Sequence, residues 1–235
     1  MNTMKKRIRL IVLIAVVAVM AVAAILHFSL EPADYRVEIH KQTAAALTLL
    51  EEAVTGNDEG QYSEDAVLAL QTSLDRANEL ADSALSTTDD LRTLKGQENR
   101  LCVSANQLEA LQEENVDFTQ TIKIDGIGEI VWRLPCKEMG QAAPVNLQIE
   151  TEGFYGDQVR SLMEVNGLQG TMLHFLHNGA LPVRADITLY QQMGTAHLYR
   201  YDAVRNALIY VCPAKTAGEE VTFSIAMGGY WIVSP

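Results

Sequence analysis

His174 and His177 are the residues whose type and spacing first suggest chemistry, because imidazoles close in sequence can share a metal ion. On a strand, however, an offset of three puts them on opposite faces, so they chelate together only where the strand bends. His177 reads by default as a hydrogen-bonded turn histidine, and no metal site is expected. Asp157, Glu164, Asp186 and Asp202 are scattered acids. A glycoside hydrolase needs two carboxylates facing each other across the substrate, which linear spacing does not reveal. The chain has no G-x-S-x-G elbow, P-loop, H-E-x-x-H helix or EF-hand loop. Gly126-Ile127-Gly128 lacks the further glycine and the helix of a dinucleotide site and reads as a hairpin turn. No catalytic residue and no cofactor is expected.

Aromatic residues are the better binding candidates. Tyr155, Tyr190, Tyr230 and Trp231 would form a sugar-stacking platform if exposed, since a ring face packs on the apolar edge of a sugar. The competing role is core packing. The three cysteines, Cys102, Cys136 and Cys212, are too few and too odd in number for a disulfide framework. Cys136 and Cys212 fall in the same expected domain and can pair outside the cytoplasm; otherwise all three are buried thiols.

Four bases, Lys5, Lys6, Arg7 and Arg9, precede the first acid, Glu31, in a chain of net charge −12. The remainder is strongly acidic and repels phosphate, so nucleic acid is not an expected partner. A neutral glycan or a basic protein patch is compatible with it. Between the bases and the acids, Leu10 to Leu26 carries no polar side chain, and continuation to Leu30 gives a helix long enough to span a bilayer. The preceding cations place the N-terminus inside. Ala21-Val22-Ala23 resembles a cleavage site, but the apolar run continues past it without a breaker. A retained signal anchor over residues 1–30 is therefore favoured over a cleaved signal peptide.

The elements that follow divide into two periods. From about Ala33 to Glu114 the apolar spacing is helical: Leu47, Leu50 and Val54; then Val67, Leu70, Leu74, Ala77 and Ala81; then Leu91, Leu94, Leu101, Ala105 and Leu108. Ser63 caps the second helix and Ser86 the third, each followed by acids that suit a helix N-terminus. Three such helices over residues 31–116 predict an antiparallel three-helix bundle. From residue 117 to 235 short strands take over, at about Phe118–Ile124, Glu129–Leu134, Val145–Thr151, Met172–Leu176, Ala185–Tyr190, His197–Tyr201, Ala207–Val211, Val221–Ile225 and Tyr230–Val233. Residues 157 to 170 fit a loop or a short helix. The fold class expected is α+β multidomain: a transmembrane helix, a three-helix bundle and an antiparallel all-β sandwich.

Two stretches carry a family resemblance. Ala46-Leu-Thr-Leu-Leu-Glu-Glu-Ala-Val54, Gln61-Tyr-Ser63 and Leu70-Gln-Thr-Ser-Leu-Asp-Arg-Ala77 resemble the FIVAR type of three-helix module, although Leu94-Lys-Gly96 departs from its third helix. Phe175-Leu-His-Asn-Gly-Ala-Leu-Pro-Val-Arg-Ala185, Leu198-Tyr-Arg-Tyr-Asp202, Leu208-Ile-Tyr-Val211, Val221-Thr-Phe-Ser-Ile225 and Gly229-Tyr-Trp-Ile-Val233 are similar to a β-sandwich module of clostridial cell-surface proteins. Ile130-Val-Trp-Arg133 fits that module's early strand. The resemblance implies a non-catalytic Gram-positive surface protein: a β-sandwich on a helical stalk, extracellular and single-pass, serving adhesion or envelope structure. A carbohydrate-binding accessory module of the cell envelope is the alternative, and a glycan hydrolase a third. The partners implied are the membrane and a cell-wall glycan or surface protein.

Overall fold

The computed structural model describes residue 41, residues 43–79 and residues 99–235. The expected anchor, the start of the first helix and the expected cap and first turns of the third helix lie outside these residues. Among the described residues no helix is long and apolar enough to cross a membrane.

The architecture is α+β, dominated by antiparallel sheet. Helix α1 covers residues 43–52 and α2 covers Glu64–Glu79. Ala46 of α1 packs on Leu70 and Leu74 of α2, with Leu49 and Leu50 beside them. The expected α1 stripe is therefore rotated: Leu50 lies inward, whereas Leu47 is exposed and Val54, beyond the helix, is exposed too. Ser63 caps α2 as its type predicts, with Oγ accepting from the Ala66 N–H.

The described end of the expected third helix, from residue 99 on, differs from expectation. Residues 99–104 are not helical; Cys102–Val103 forms strand β1, and helix α3 starts only at Ala105 and ends at Glu113. Ser104 sets this start by accepting the Gln107 N–H at 3.3 Å. The stripe Leu101, Ala105 and Leu108 thus crosses a strand, a cap and a helix. Leu108 is fully buried among residues of the sheet, and Leu101 packs against the same cluster. Among the described residues, α1 and α2 pack on each other, and α3 packs on the sheet.

The sheet strands are β2 (Phe118–Ile124), β3 (Gly128–Leu134), β4 (Val145–Asn146), β5 (Ile149–Glu150), β6 (Thr171–Tyr190), β7 (Ala196–Asp202), β8 (Ala207–Ala217) and β9 (Glu220–Ser234). Helix α4 (Gly156–Val165) precedes β6 and resolves the stretch that fitted either loop or helix. β1 pairs with β4, and the main sheet runs β2-β3-β6-β9-β7-β8, with β5 also on β6. Asp125-Gly126 closes the β2–β3 hairpin, Gly126 at φ 78°.

Four of the expected strands merge into two. β6 and β9 run 20 and 15 residues and pair along their length, with register shifts between Phe175 and Ala180 and between Ala180 and Ala185. One half of β6 pairs with β3 and the other with β5; one end of β9 pairs with β8 and the other with β7. Two long bent strands shared between halves make the sheet sandwich-like, as when strands switch layers at bulges. The approach at the bend needs glycine: a Cβ on Gly228 would lie 1.8 Å from the His177 carbonyl oxygen.

Alternation along β9 then builds two cores. Val221, Phe223, Ile225, Trp231 and Val233 join Trp132, Phe175, Leu198 and Leu108 in the main one. Tyr230 and Ile232 face the other way, where Val159 and Met163 of α4 cover them together with Met172 and Tyr201.

Candidate functional site

Where α2 meets the bend of β6 and β9, an open cleft of about 220 Å³ is lined by Ser63, Asp65, His174, His177, Arg200 and Gly228, among others. Its position follows from the bulged stretch His177-Asn178-Gly179. Sequence alone reads this as a chain-reversing turn, and Gly179 does take φ 71°. Here the strand instead bends and continues, turning its polar groups onto the loop between α1 and α2.

Asn178 is the hub of that contact. Its side-chain oxygen accepts the Glu64 N–H at 2.9 Å, at the first turn of α2. Its amide donates to the carbonyls of Gly56 (3.0 Å) and Tyr62 (3.3 Å). Its backbone exchanges two further bonds with the Asn57 side chain. Behind it, fully buried Asn146 donates to Asn99 Oδ1 (2.9 Å) and to the Leu176 carbonyl (3.1 Å). Asn99 in turn donates to the Gly56 carbonyl (2.8 Å). A buried polar network of this kind is stabilising when its members are satisfied, and the bonds named here link loop, helix and sheet.

Both cleft histidines are committed to this framework. His177 is buried; its Nδ1 accepts the Asn146 backbone N–H at 3.4 Å and its Nε2–H donates to the Ala180 carbonyl at 3.0 Å. That pattern defines the neutral Nε2–H tautomer. Burial pushes the His177 pKa below the ordinary imidazole value, and the bond to Ala180 offsets this only in part. His174 has Nδ1 3.2 Å from the Glu152 carbonyl oxygen and Nε2 3.1 Å from the Asp65 carboxylate. Its ring stacks on Tyr230 at 3.9 Å between centroids. Among the described residues no group of three or more His, Cys, Asp or Glu side chains is placed to hold a metal ion. Burial raises the carboxyl pKa of neighbouring Glu150; the His174 charge lowers it and Glu152 raises it further.

A pH dependence follows. The unfolded chain protonates His177 near the ordinary value of 6.5, whereas the folded ring resists. The unfolded state therefore binds more protons below that value, so this contribution to stability is present above about pH 6.5 and is lost as pH falls through the folded value. Glu150 acts oppositely: its contribution is present below the ordinary carboxyl range and lost as pH rises through its raised folded value. Urea titrations at pH 8, 6.5 and 5 should show His177→Gln losing less stability on acidification than the wild type. Identical losses in the two proteins would remove His177 from the account.

The four aromatic candidates are not brought together. Tyr230 is 3% and Trp231 4% exposed, on opposite faces of β9. The Trp231 indole N–H donates to the Met227 carbonyl, and the Tyr230 hydroxyl accepts the Tyr155 N–H at 3.0 Å. Tyr155 is half-buried against Tyr201 and Tyr230, while Tyr190 is exposed at the far end of β6. An aromatic surface that spacing alone did not single out lies on β7 and β8. There the partly buried Tyr199 meets exposed Tyr210 edge-to-face at 5.5 Å, with His197 6.0 Å from Tyr210. The cross-strand pairing Tyr199↔Tyr210 creates it, and a single strand's sequence carries no such signal.

The scattered acids each have local surroundings. Asp157 pairs with Arg160 (2.8 Å), Asp186 with Arg133 (2.9 Å) and with the Ser224 hydroxyl (2.7 Å), Asp202 accepts from the backbone of Val204 and Arg205, and Glu164 is exposed. All three cysteines are free thiols, so the Cys136–Cys212 pairing is not formed. Burial, with Asp58 and Glu59 adding to it, pushes the Cys102 thiol up to about 11, which keeps it protonated and unreactive.

The fold and site define an α+β protein built on a bent antiparallel sheet with a polar cleft at the bend. Comparison with known proteins adds no relative: no family model, no curated protein and no solved structure matches the chain.

Proposed function

We propose that this chain is a membrane-anchored, non-catalytic surface protein that displays its sheet domain for adhesion or envelope structure. The supporting observation is the commitment of the cleft's two histidines and of Asn178. Both nitrogens of His174 and of His177 are occupied by backbone or carboxylate partners, and Asn178 spends its side chain on holding α2. A general base needs a nitrogen or oxygen free to take a proton from substrate or nucleophile. The anchor rests on the apolar run Leu10 to Leu26 behind Lys5–Arg9, and the helical stalk and Gram-positive surface setting rest on the resemblance.

Protease added to cells with a permeable wall should remove an epitope placed after Pro235 while an epitope ahead of Lys5 stays protected. Full protection of the C-terminal epitope would end the display reading. A second reading, a carbohydrate-binding module of the envelope, draws on Tyr210, which is 52% exposed beside Tyr199. Tyr210→Ala would then abolish retention on cell-wall polysaccharide without lowering Tm; unchanged retention would dismiss it.

A further inference from the structure

Two features of the cleft are not consumed by the network that shapes it. Arg200 lines it, and the contact its guanidinium makes among the described residues is with the Met227 thioether, a weak acceptor. Among the described residues no carboxylate pairs with Arg200. A guanidinium presents five donors in a planar fork that matches a carboxylate, so this group has binding capacity to spare.

The second feature is an open sheet edge. On the side of β9 away from β6, β8 pairs with residues 220–222 and β7 with residues 231–234. Between them residues 223–230 have no ladder partner on that side among the described residues, because β8 turns from one strand to the other. Met227, Gly228 and Gly229 of this stretch line the same cleft as Arg200. At Gly229 nothing lies within 4 Å of where a Cβ would sit, so the backbone is open on that face, and an unpaired strand edge is a template for an extended chain.

We infer that the cleft receives the C-terminal end of an extended peptide, with Arg200 holding its carboxylate and the edge at Gly228 and Gly229, beyond the Met227 carbonyl that Trp231 occupies, bonding its backbone. The volume, about 220 Å³, lies below that of sites for drug-sized ligands and suits a chain end. The facing wall narrows the choice of sequence. Asp65 is tied to His174 at 3.1 Å, but the Glu64 side chain is exposed at the rim. It repels a second carboxylate and favours a basic residue just upstream of the terminus. The net charge of −12 acts in the same direction at longer range. This site goes beyond the display function and does not depend on where the protein sits.

The test is fluorescence anisotropy with purified full-length protein and labelled Gly-Ala-Lys-Ala, as the free acid and as the C-terminal amide. The acid should bind saturably and at least ten-fold more tightly than the amide. Arg200→Met should erase that difference while keeping the wild-type Tm, and Arg200→Lys, which keeps charge but not the fork, should fall between. Changing the peptide lysine to glutamate should weaken binding, and Glu64→Gln should relieve that penalty. Equal binding of acid and amide by the wild type, or no binding of either, overturns the assignment without recourse to any variant.

Discussion

Replacing Trp132 by alanine should lower the unfolding free energy by about 3–5 kcal/mol, the range for removing a large aromatic from a packed core. Trp132 is fully buried at the centre of the main cluster and meets Phe175 edge-to-face at 5.3 Å. It sits on β3 opposite Ile187 of β6, so its loss loosens the junction between the hairpin and the long bent strand. Against a typical total of about 5–15 kcal/mol, this leaves the protein marginal or unfolded. Trp132→Phe should behave very differently. Among the described residues the buried indole N–H of Trp132 meets no hydrogen-bond acceptor, a state that costs about 1–3 kcal/mol. Phenylalanine removes that unmet donor while keeping most of the apolar volume, so the two effects nearly cancel and the net change should stay within about 1 kcal/mol. Chemical denaturation of the three proteins decides the matter. A Phe variant as unstable as the Ala variant would mean that the N–H is satisfied in solution.

Asn178→Ala should cost about 2–4 kcal/mol, although the residue lies at the surface of the sheet. The loss combines about 1 kcal/mol for the acceptor at the start of α2 with about 1–3 kcal/mol for leaving the Gly56 and Tyr62 carbonyls without their donor. Asn178→Asp separates the two parts, because it keeps the acceptor for Glu64 but turns a carboxylate toward both carbonyls. Hydrogen exchange should show α2 amides opening faster in both variants while β3 amides, which Asn178 does not touch, stay protected. Uniform acceleration across sheet and helix would mean that α2 and the sheet unfold as one unit, with no separately weakened contact.

Much of the local structure was legible before folding. The β2–β3 hairpin follows from alternating residues around Asp125-Gly126, the start of α2 from Ser63, and the final strands from their aromatic and β-branched runs. These signals are local: a turn dipeptide, a cap and a period of two each act over a few residues. Leu101 to Leu108 misled for a related reason. Helical spacing records only which residues are apolar, and Ser104 serves equally as a helix interior residue or as a cap. Pairing of Cys102–Val103 with Val145–Asn146, more than forty residues away, decides for the cap.

The amino-acid sequence by itself determined the acidic charge, the apolar run behind four cations, the succession from helical to strand period and the absence of local catalytic motifs. Tertiary structure alone decided that the expected turn at His177-Asn178-Gly179 and the expected break between Ile225 and Tyr230 are bends in two continuous strands, because Gly179 and Gly228 permit both and only the pairing of β6 with β9 selects one. It also decided which aromatics are buried, since Tyr230 and Trp231 each find a core only when α4 covers one face of β9 and the main cluster the other. The cleft was invisible for the same reason: Asp65, His174, Arg200 and Gly228 are scattered over more than 160 positions and meet only where long strands bend against α2.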